Sequence, residues 1–405
     1  MLKTAINALW YLGNIPNTYV FKKAALHPER TQSTKLFQYI KNNAYTQFGQ
    51  QHNFEHIKTF SDYQKYVPIR GYNDFEPWIQ KVIEGKTHIL TIESVLCLMP
   101  TSGVTGDIKL IPYTQGLQKE FSLGVAPWIN NTFKLKPNIM GGSSYWSIAP
   151  SLIEFNQKSA VKIGYTEKSS YISSKIHGLI NSVIAVPNSL IKLHSIDSFN
   201  YLTLLYLLAC KDLRFVSVWH PYYFSQLLKQ LKSYWQLLLN DLATGSISLD
   251  EKHDINEYKI EPMPKRSELL AKFTADQYTR IWPELSLISC WGEENSVYAL
   301  QNIANKFPQA VIQEKGLIAT EAFISFPLGV NQNIKPISIN SHFFEFINDK
   351  GQSKLVHELR LGEEYNLVVS TAGGLYRYFL QDRIKVVDFF LNLPCLKFIG
   401  KPSID

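Results

Sequence analysis

Three stretches of the chain carry residue types suited to phosphate and nucleotide chemistry. The first is Thr101-Ser102-Gly103-Val104-Thr105-Gly106-Asp107-Ile108-Lys109. Its two glycines let the backbone turn successive N–H groups inward as an anion nest. Thr101, Ser102 and Thr105 add hydroxyl donors, and Lys109 adds a point charge for a phosphate. The spacing is not the G-x-x-x-x-G-K-[ST] of a Walker loop. Taken alone, the stretch is as good a plain turn as a phosphate loop.

The second stretch is Gly316-Leu317-Ile318-Ala319-Thr320-Glu321, an apolar run ending in a Thr-Glu pair. A carboxylate at the end of a buried strand lies where open α/β sheets bind ligands. Glu321 there offers the oxygen ligand that Mg²⁺ prefers. The third is Gly373-Gly374-Leu375-Tyr376-Arg377-Tyr378-Phe379-Leu380-Gln381-Asp382. An Asp carboxylate accepts hydrogen bonds from both hydroxyls of a ribose, and Arg377 suits a phosphate or a carboxylate. Read alone, each of these two is better served by the plain reading: an ordinary strand end for Glu321, and a strand with an exposed Arg/Asp pair for the third.

Other chemistries find little support. The histidines are scattered, and the His52/His56 pair lacks the Glu of H-E-x-x-H, so zinc is not expected. No G-x-S-x-G elbow anchors a hydrolase triad. Gly141-Gly142-Ser143-Ser144-Tyr145 is a second flexible turn that suits a pocket wall or a loop. The four cysteines, Cys97, Cys210, Cys290 and Cys395, form no C-x-x-C and read as free thiols in a reducing compartment.

The elements that must position these stretches follow from periodicity. A strand-like run, Ser94–Met99, leads into the first stretch. Leu36, Phe37, Ile40 and Ala44 share a helical face, and Tyr63 to Ile83 is a region of short elements. Residues 198–211 read as a buried helix, and Leu213–Trp219 as a buried strand. Phe224–Leu242 reads as one amphipathic helix, and 243–267 as a polar surface excursion. Leu285–Trp291 is another strand and 296–307 another helix. This alternation predicts an α/β fold with mixed or largely parallel sheets flanked by helices. From residue 343 the pattern changes: Phe343–Ile347, Tyr365–Thr371, Gly374–Tyr378, Ile384–Val387 and Leu396–Gly400 read as successive strands. They predict an antiparallel, barrel-like segment at about 340–395.

Composition narrows the partners. With 45% apolar and 19% charged residues in a chain of 405, the protein is globular and large enough to bury a core unaided. The net charge of +7 is spread over scattered pairs such as Lys22-Lys23 and Lys265-Arg266. That suits an anionic small molecule and not a nucleic-acid groove. Met1 to Gly13 reads as a helix without a cleavage site, and no apolar run is long enough to span a membrane. A soluble, cytoplasmic protein is expected; oligomeric state has no signature.

The three stretches in this order resemble the auxin-responsive (Gretchen Hagen) acyl-acid amido synthetases of the adenylate-forming superfamily. Tyr45-Thr46-Gln47-Phe48-Gly49, Val67-Pro68-Ile69, Phe215–Pro221 and Ser289-Cys290-Trp291-Gly292 are similar to other parts of that family. The similarity covers about residues 20–405. It implies that a carboxylic acid attacks the α-phosphate of ATP, giving an acyl-adenylate and pyrophosphate. An amine, usually of an amino acid, then attacks the acyl carbon and releases AMP. By the same resemblance Thr101, Ser102, Gly103, Thr105, Gly106 and Lys109 cradle the β- and γ-phosphates. Thr320 touches the α-phosphate, Glu321 holds Mg²⁺, Asp382 binds the ribose hydroxyls, and Tyr376 to Tyr378 lead into that contact. Lys109, Thr320 and Glu321 are the catalytic candidates.

Three departures stand out. Val104 replaces a hydroxyl residue. Gln381 replaces a glycine, and if that position needs φ > 0 it costs about 1 kcal/mol. Residues 1–395 correspond to the family's large ATP- and acid-binding domain and 396–405 to the start of a hinge; the small C-terminal domain is absent from these residues. Impaired turnover is therefore expected. A non-catalytic nucleotide- or acyl-binding protein and an acyl-CoA ligase remain as alternative readings.

Overall fold

The computed structural model describes residues 1–102, 108–148, 150, 159–164, 177–249, 255, 258–293, 296–329 and 334–402. Eleven strands in these residues form three sheets. β1 (Val95–Ser102) and β2 (Ile108–Thr114) make an antiparallel hairpin. β3 (Ser143–Trp146), β4 (Leu213–Ser217), β5 (Leu287–Cys290) and β6 (Val311–Glu314) form a parallel sheet in sequential order. β7 (Phe343–Ile347), β8 (Ser353–Leu355), β9 (Glu364–Ser370), β10 (Tyr378–Phe390) and β11 (Leu393–Gly400) form an antiparallel sheet ordered β11-β10-β9-β7-β8.

The parallel strands are apolar on both faces because both faces are covered. Phe215 and Leu287 pack into the cluster shared with the N-terminal helices and the antiparallel sheet. Val216, Ile288 and Cys290 pack into a second cluster under the helices Ile196–Ala209, Pro221–Ser233 and Trp235–Thr244. Between hairpin and parallel sheet runs the helix Gln115–Leu135, started by Thr114, whose hydroxyl accepts the N–H of Leu117 at 3.1 Å. Gly124 lets this helix approach closely: a Cβ there would lie 2.2 Å from the ring of Phe323, two residues beyond Glu321.

Several sequence expectations need correction. The barrel-like segment is an open five-stranded sheet, with β11 and β8 at its ends. Gly374–Tyr378 is not a strand but a turn, with Gly374 at φ 95°, and β10 begins only at Tyr378. Phe224–Leu242 is two helices, broken at Tyr234, which packs edge-on against Tyr201 at 5.3 Å. The break carries no Pro or Gly, so only tertiary packing reveals it. Gly316–Glu321 is not a strand end either: β6 stops at Glu314, and Thr320-Glu321 forms the tip of a tight turn. The four cysteines are free thiols, with Cys97, Cys290 and Cys395 buried. No helix among the described residues is long and apolar enough to cross a membrane.

Candidate active site

The hairpin places Lys109. Its Cα faces that of Thr101 across the ladder, and Ser102 faces Ile108. Gly103, Thr105 and Gly106 of the expected phosphate loop, with Val104, lie outside the described residues. The Lys109 ammonium stands 5.9 Å from the ring centroid of Tyr72. The Tyr72 hydroxyl in turn accepts the N–H of Leu110 at 2.8 Å, fixing the strand beside it.

Glu321 reaches the same place from the other side of the chain. The N–H of Ala319 donates to the Ala322 carbonyl at 2.9 Å, and Ile318 bridges Phe323. This reciprocal turn projects half-buried Thr320 and buried Glu321 at its corner. The Tyr378 hydroxyl donates to Glu321 Oε1 at 3.3 Å. Burial pushes the Glu321 carboxyl above its usual range; Lys109 and Tyr378 oppose the shift, and Asp382 reinforces it.

Asp382 is aimed by a bulge. Register in the β9–β10 ladder shifts between Phe379 and Arg383. Within that interval Gln381 sits at φ 59°. The left-handed residue turns its own side chain to solvent and Asp382 inward, where it is 8% exposed. The position therefore does require φ > 0, the condition on which the replacement of glycine carries a penalty. Replacing Gln381 by glycine is expected to stabilise the chain by about 1 kcal/mol. Urea unfolding of the two proteins measures this; an unchanged midpoint would mean the strain is relieved elsewhere.

Burial also raises the Asp382 carboxyl, opposed by Lys401 and Lys109. Lys401, just past β11, donates a charge-assisted hydrogen bond to Asp382 Oδ1. Sequence reasoning missed Lys401, because nothing in Gly400-Lys401-Pro402 distinguishes it from a solvated surface lysine.

Lys109, Glu321, Tyr378 and Asp382 thus converge, with Tyr72 and Lys401 added. Arg377 does not join them. Its Nε donates to both Glu345 oxygens at 3.1 Å, and its Nη1 donates to the Val67 carbonyl at 2.9 Å. It is a buried partner of Glu345, not a ligand for phosphate. Tyr376 is likewise internal, its hydroxyl donating to the Leu90 carbonyl at 2.9 Å.

Other proteins resemble this chain in sequence and in fold. Sequence models of the GH3 family N-terminal domain and the GH3 family central domain match residues 18–302 and 336–401. The chain belongs to the GH3 family. Indole-3-acetic acid-amido synthetase GH3.6 of Arabidopsis thaliana is 21% identical over 92% of this GH3 chain and 67% of its own length. GH3.10 of the same plant is 23% identical over 84% of this chain and 64% of its own length. A jasmonoyl-L-amino acid synthetase, JAR4 of Nicotiana attenuata, is 22% identical over 93% and 69%. The chain spans about two thirds of the length of the curated relatives it matches.

The fold agrees. The solved structure of the acyl acid amido synthetase AtGH3.15 in complex with 2,4-DB superposes with a TM-score of 0.82, at 18% identity, covering 96% of this chain and 71% of that one. An open conformation of 2-hydroxyisobutyryl-CoA ligase in complex with 2-HIB-AMP and CoA gives 0.52, at 9% identity, covering 92% and 74%. The GH3 chain has the α/β fold of adenylate-forming enzymes.

Proposed function

We propose that this GH3 chain binds ATP and a carboxylic acid, joins them as an acyl-adenylate, and passes the acyl group to an amine, in the manner of an acyl-acid amido synthetase. The observation that carries the reading is the convergence of Lys109, Glu321 and Asp382. They come from three distant motifs, yet one lysine faces two buried carboxylates. In this reading residues 1–395 form the large ATP- and acid-binding domain, and residues 396–405 open its hinge.

The residues divide the work by position. Asp382 accepts the ribose hydroxyls, a task for a fixed carboxylate with Lys401 as its neighbour. Lys109 neutralises charge on the triphosphate, and Thr101, Ser102, Gly103, Thr105 and Gly106 supply hydroxyl and backbone donors to it. Thr320 donates to the α-phosphate where the substrate carboxylate attacks. Holding acid and phosphate in line removes the entropic part of the barrier. Tyr378 orients Glu321 through its hydroxyl.

Glu321 fits Mg²⁺: it is a buried carboxylate held by one phenol, beside the Thr320 hydroxyl, and hard cations take such oxygens together with phosphate. When bound, Mg²⁺ supplies Lewis-acid neutralisation of the triphosphate. Replacing Glu321 by glutamine keeps shape and removes charge. It is expected to weaken Mg·ATP about tenfold and to leave AMP nearly unchanged. Calorimetric titration with both nucleotides tests this; equal losses would remove the metal role.

The acceptor is an amine or amino acid, by likeness to the amido synthetases the chain matches. Thermal unfolding with and without saturating Mg·ATP tests the nucleotide half directly. Ligand at about 100 times its Kd adds about 2.7 kcal/mol, enough to raise the midpoint by about three degrees.

A further inference from the structure

Trp146, Ser217, Ser289 and Gln313 form one row across β3, β4, β5 and β6 at their carboxyl ends. Neighbours in register point to one face of a parallel sheet. The helix Gln115–Leu135 covers that face, with Trp128 Nε1 donating to Gln313 Oε1 at 3.0 Å. Lys315 lies two residues past Gln313, and its N–H continues the ladder to the Cys290 carbonyl at 2.9 Å. Its side chain returns over the row: Nζ donates to Ser217 Oγ at 2.6 Å. The ammonium stands 4.7, 5.4 and 5.9 Å from the ring centroids of Trp128, Trp219 and Trp146.

This lysine is 4% exposed, and among the described residues no carboxylate pairs with it. Burial pushes its ammonium down to about 7. Lys335, also buried, shows the contrast: it is met by Glu293 at 2.7 Å and Glu314 at 3.1 Å. Beside Lys315 in the row, the Ser289 hydroxyl is buried without a hydrogen-bond partner. A desolvated cation and an orphaned donor therefore share one floor, walled by indole faces. Trp219 is 45% exposed and leaves one side open. The two polar groups ask for an anion, and the indoles for a flat ring.

We propose that Lys315 determines acid specificity in this protein, and that the acid is a flat, apolar carboxylic acid bearing a second anionic group, which pairs with Lys315, Ser217 and Ser289 while its ring packs on the tryptophans. The proposal rests on the adenylation reading, whose acid half it describes. A site built around an unpaired charge discriminates strongly, because an acid lacking the second anion leaves Lys315 desolvated and alone.

The probes are benzoate and phenylacetate, and their counterparts with a second carboxylate, terephthalate and 4-carboxyphenylacetate. Binding is read by tryptophan fluorescence, and AMP binding by calorimetry. At least one dicarboxylate is expected to bind ten times more tightly than its monocarboxylate. Lys315→Met removes that preference and leaves AMP affinity within twofold. Loss of the uncompensated charge also raises its unfolding midpoint by about 2 °C or more. Lys315→Arg keeps the preference, and Ser217→Ala weakens it should the Met variant fail to fold. Equal binding of mono- and dicarboxylates, or no saturable quenching by either dicarboxylate, overturns the proposal. So does a Lys315→Met protein that keeps the preference or melts lower. Failure of the adenylation reading is separate: it appears as absent AMP and Mg·ATP binding in the unaltered protein.

Discussion

Replacing Asp382 by alanine lowers the affinity for AMP and ATP by about a hundredfold and leaves the fold intact. The bulge around Gln381 turns this carboxylate inward, where burial disfavours its ionised form against the pull of Lys401 and Lys109. A buried carboxylate in that state is a stability liability, so its removal should not unfold the chain. What the proposed nucleotide site loses is the carboxylate that would accept both ribose hydroxyls. Hydrogen bonds to a charged group contribute about 1.5 to 3 kcal/mol each, and two of them amount to about a hundredfold or more. Lys401 is released in the variant, and its charge adds nothing for a neutral diol. Calorimetric titration with AMP, alongside circular dichroism, decides the matter. Undiminished affinity would take Asp382 out of the site.

Arg377→Met destabilises the protein by about 3 to 5 kcal/mol, the cost of breaking a buried ion pair. Arg377 binds Glu345 through Nε and Nη2, the latter at 2.9 Å, and the carbonyls of Val67 and Gln64 through Nη1. It thereby ties the turn before β10 to β7 and to the segment after the helix Phe60–Tyr66. Glu345 is 1% exposed, and burial already pushes its carboxyl up against the pull of Arg377. Without Arg377 the carboxyl rises further. A carboxyl raised in the folded state contributes stability that is present below its unfolded value and lost as pH rises through the folded one. The deficit of the variant is therefore larger at neutral pH than near pH 5. A second change, Glu345→Leu, should recover most of the loss. Urea unfolding at both pH values measures these effects; a deficit below 1 kcal/mol, or one that grows on acidification, would refute the assignment.

Part of the site was legible because its chemistry is local. Gly and hydroxyl residues before Lys109, Thr320 before Glu321, and Asp382 at the end of an aromatic run each announce a type of contact. Their convergence was legible only through the family resemblance and not from the residues themselves, since it depends on a hairpin, a tight turn and a bulge from distant parts of the chain. For Arg377 a phosphate and a carboxylate both stayed open, because an arginine between two tyrosines carries no mark of the buried Glu345 that neutralises it. Lys401 and Lys315 were missed for the opposite reason: a single lysine in sequence defaults to the surface, and only packing shows that one meets Asp382 and the other three indoles.

The sequence by itself determined the α/β class, the apolar runs of the parallel strands, the helix that follows each of β4 and β5, and which residues have the chemistry to be candidates for phosphate contact. These follow from periodicity and from side-chain chemistry, which act over a few residues. Tertiary structure alone decided that the C-terminal strands form an open sheet, that the stripe from Phe224 to Leu242 breaks at Tyr234, and that Gln381 takes a left-handed conformation. It also decided which charges meet a partner. Pairing, breaks and bulges are set by what packs from across the chain, and desolvation acts on a group only once its neighbours are in place.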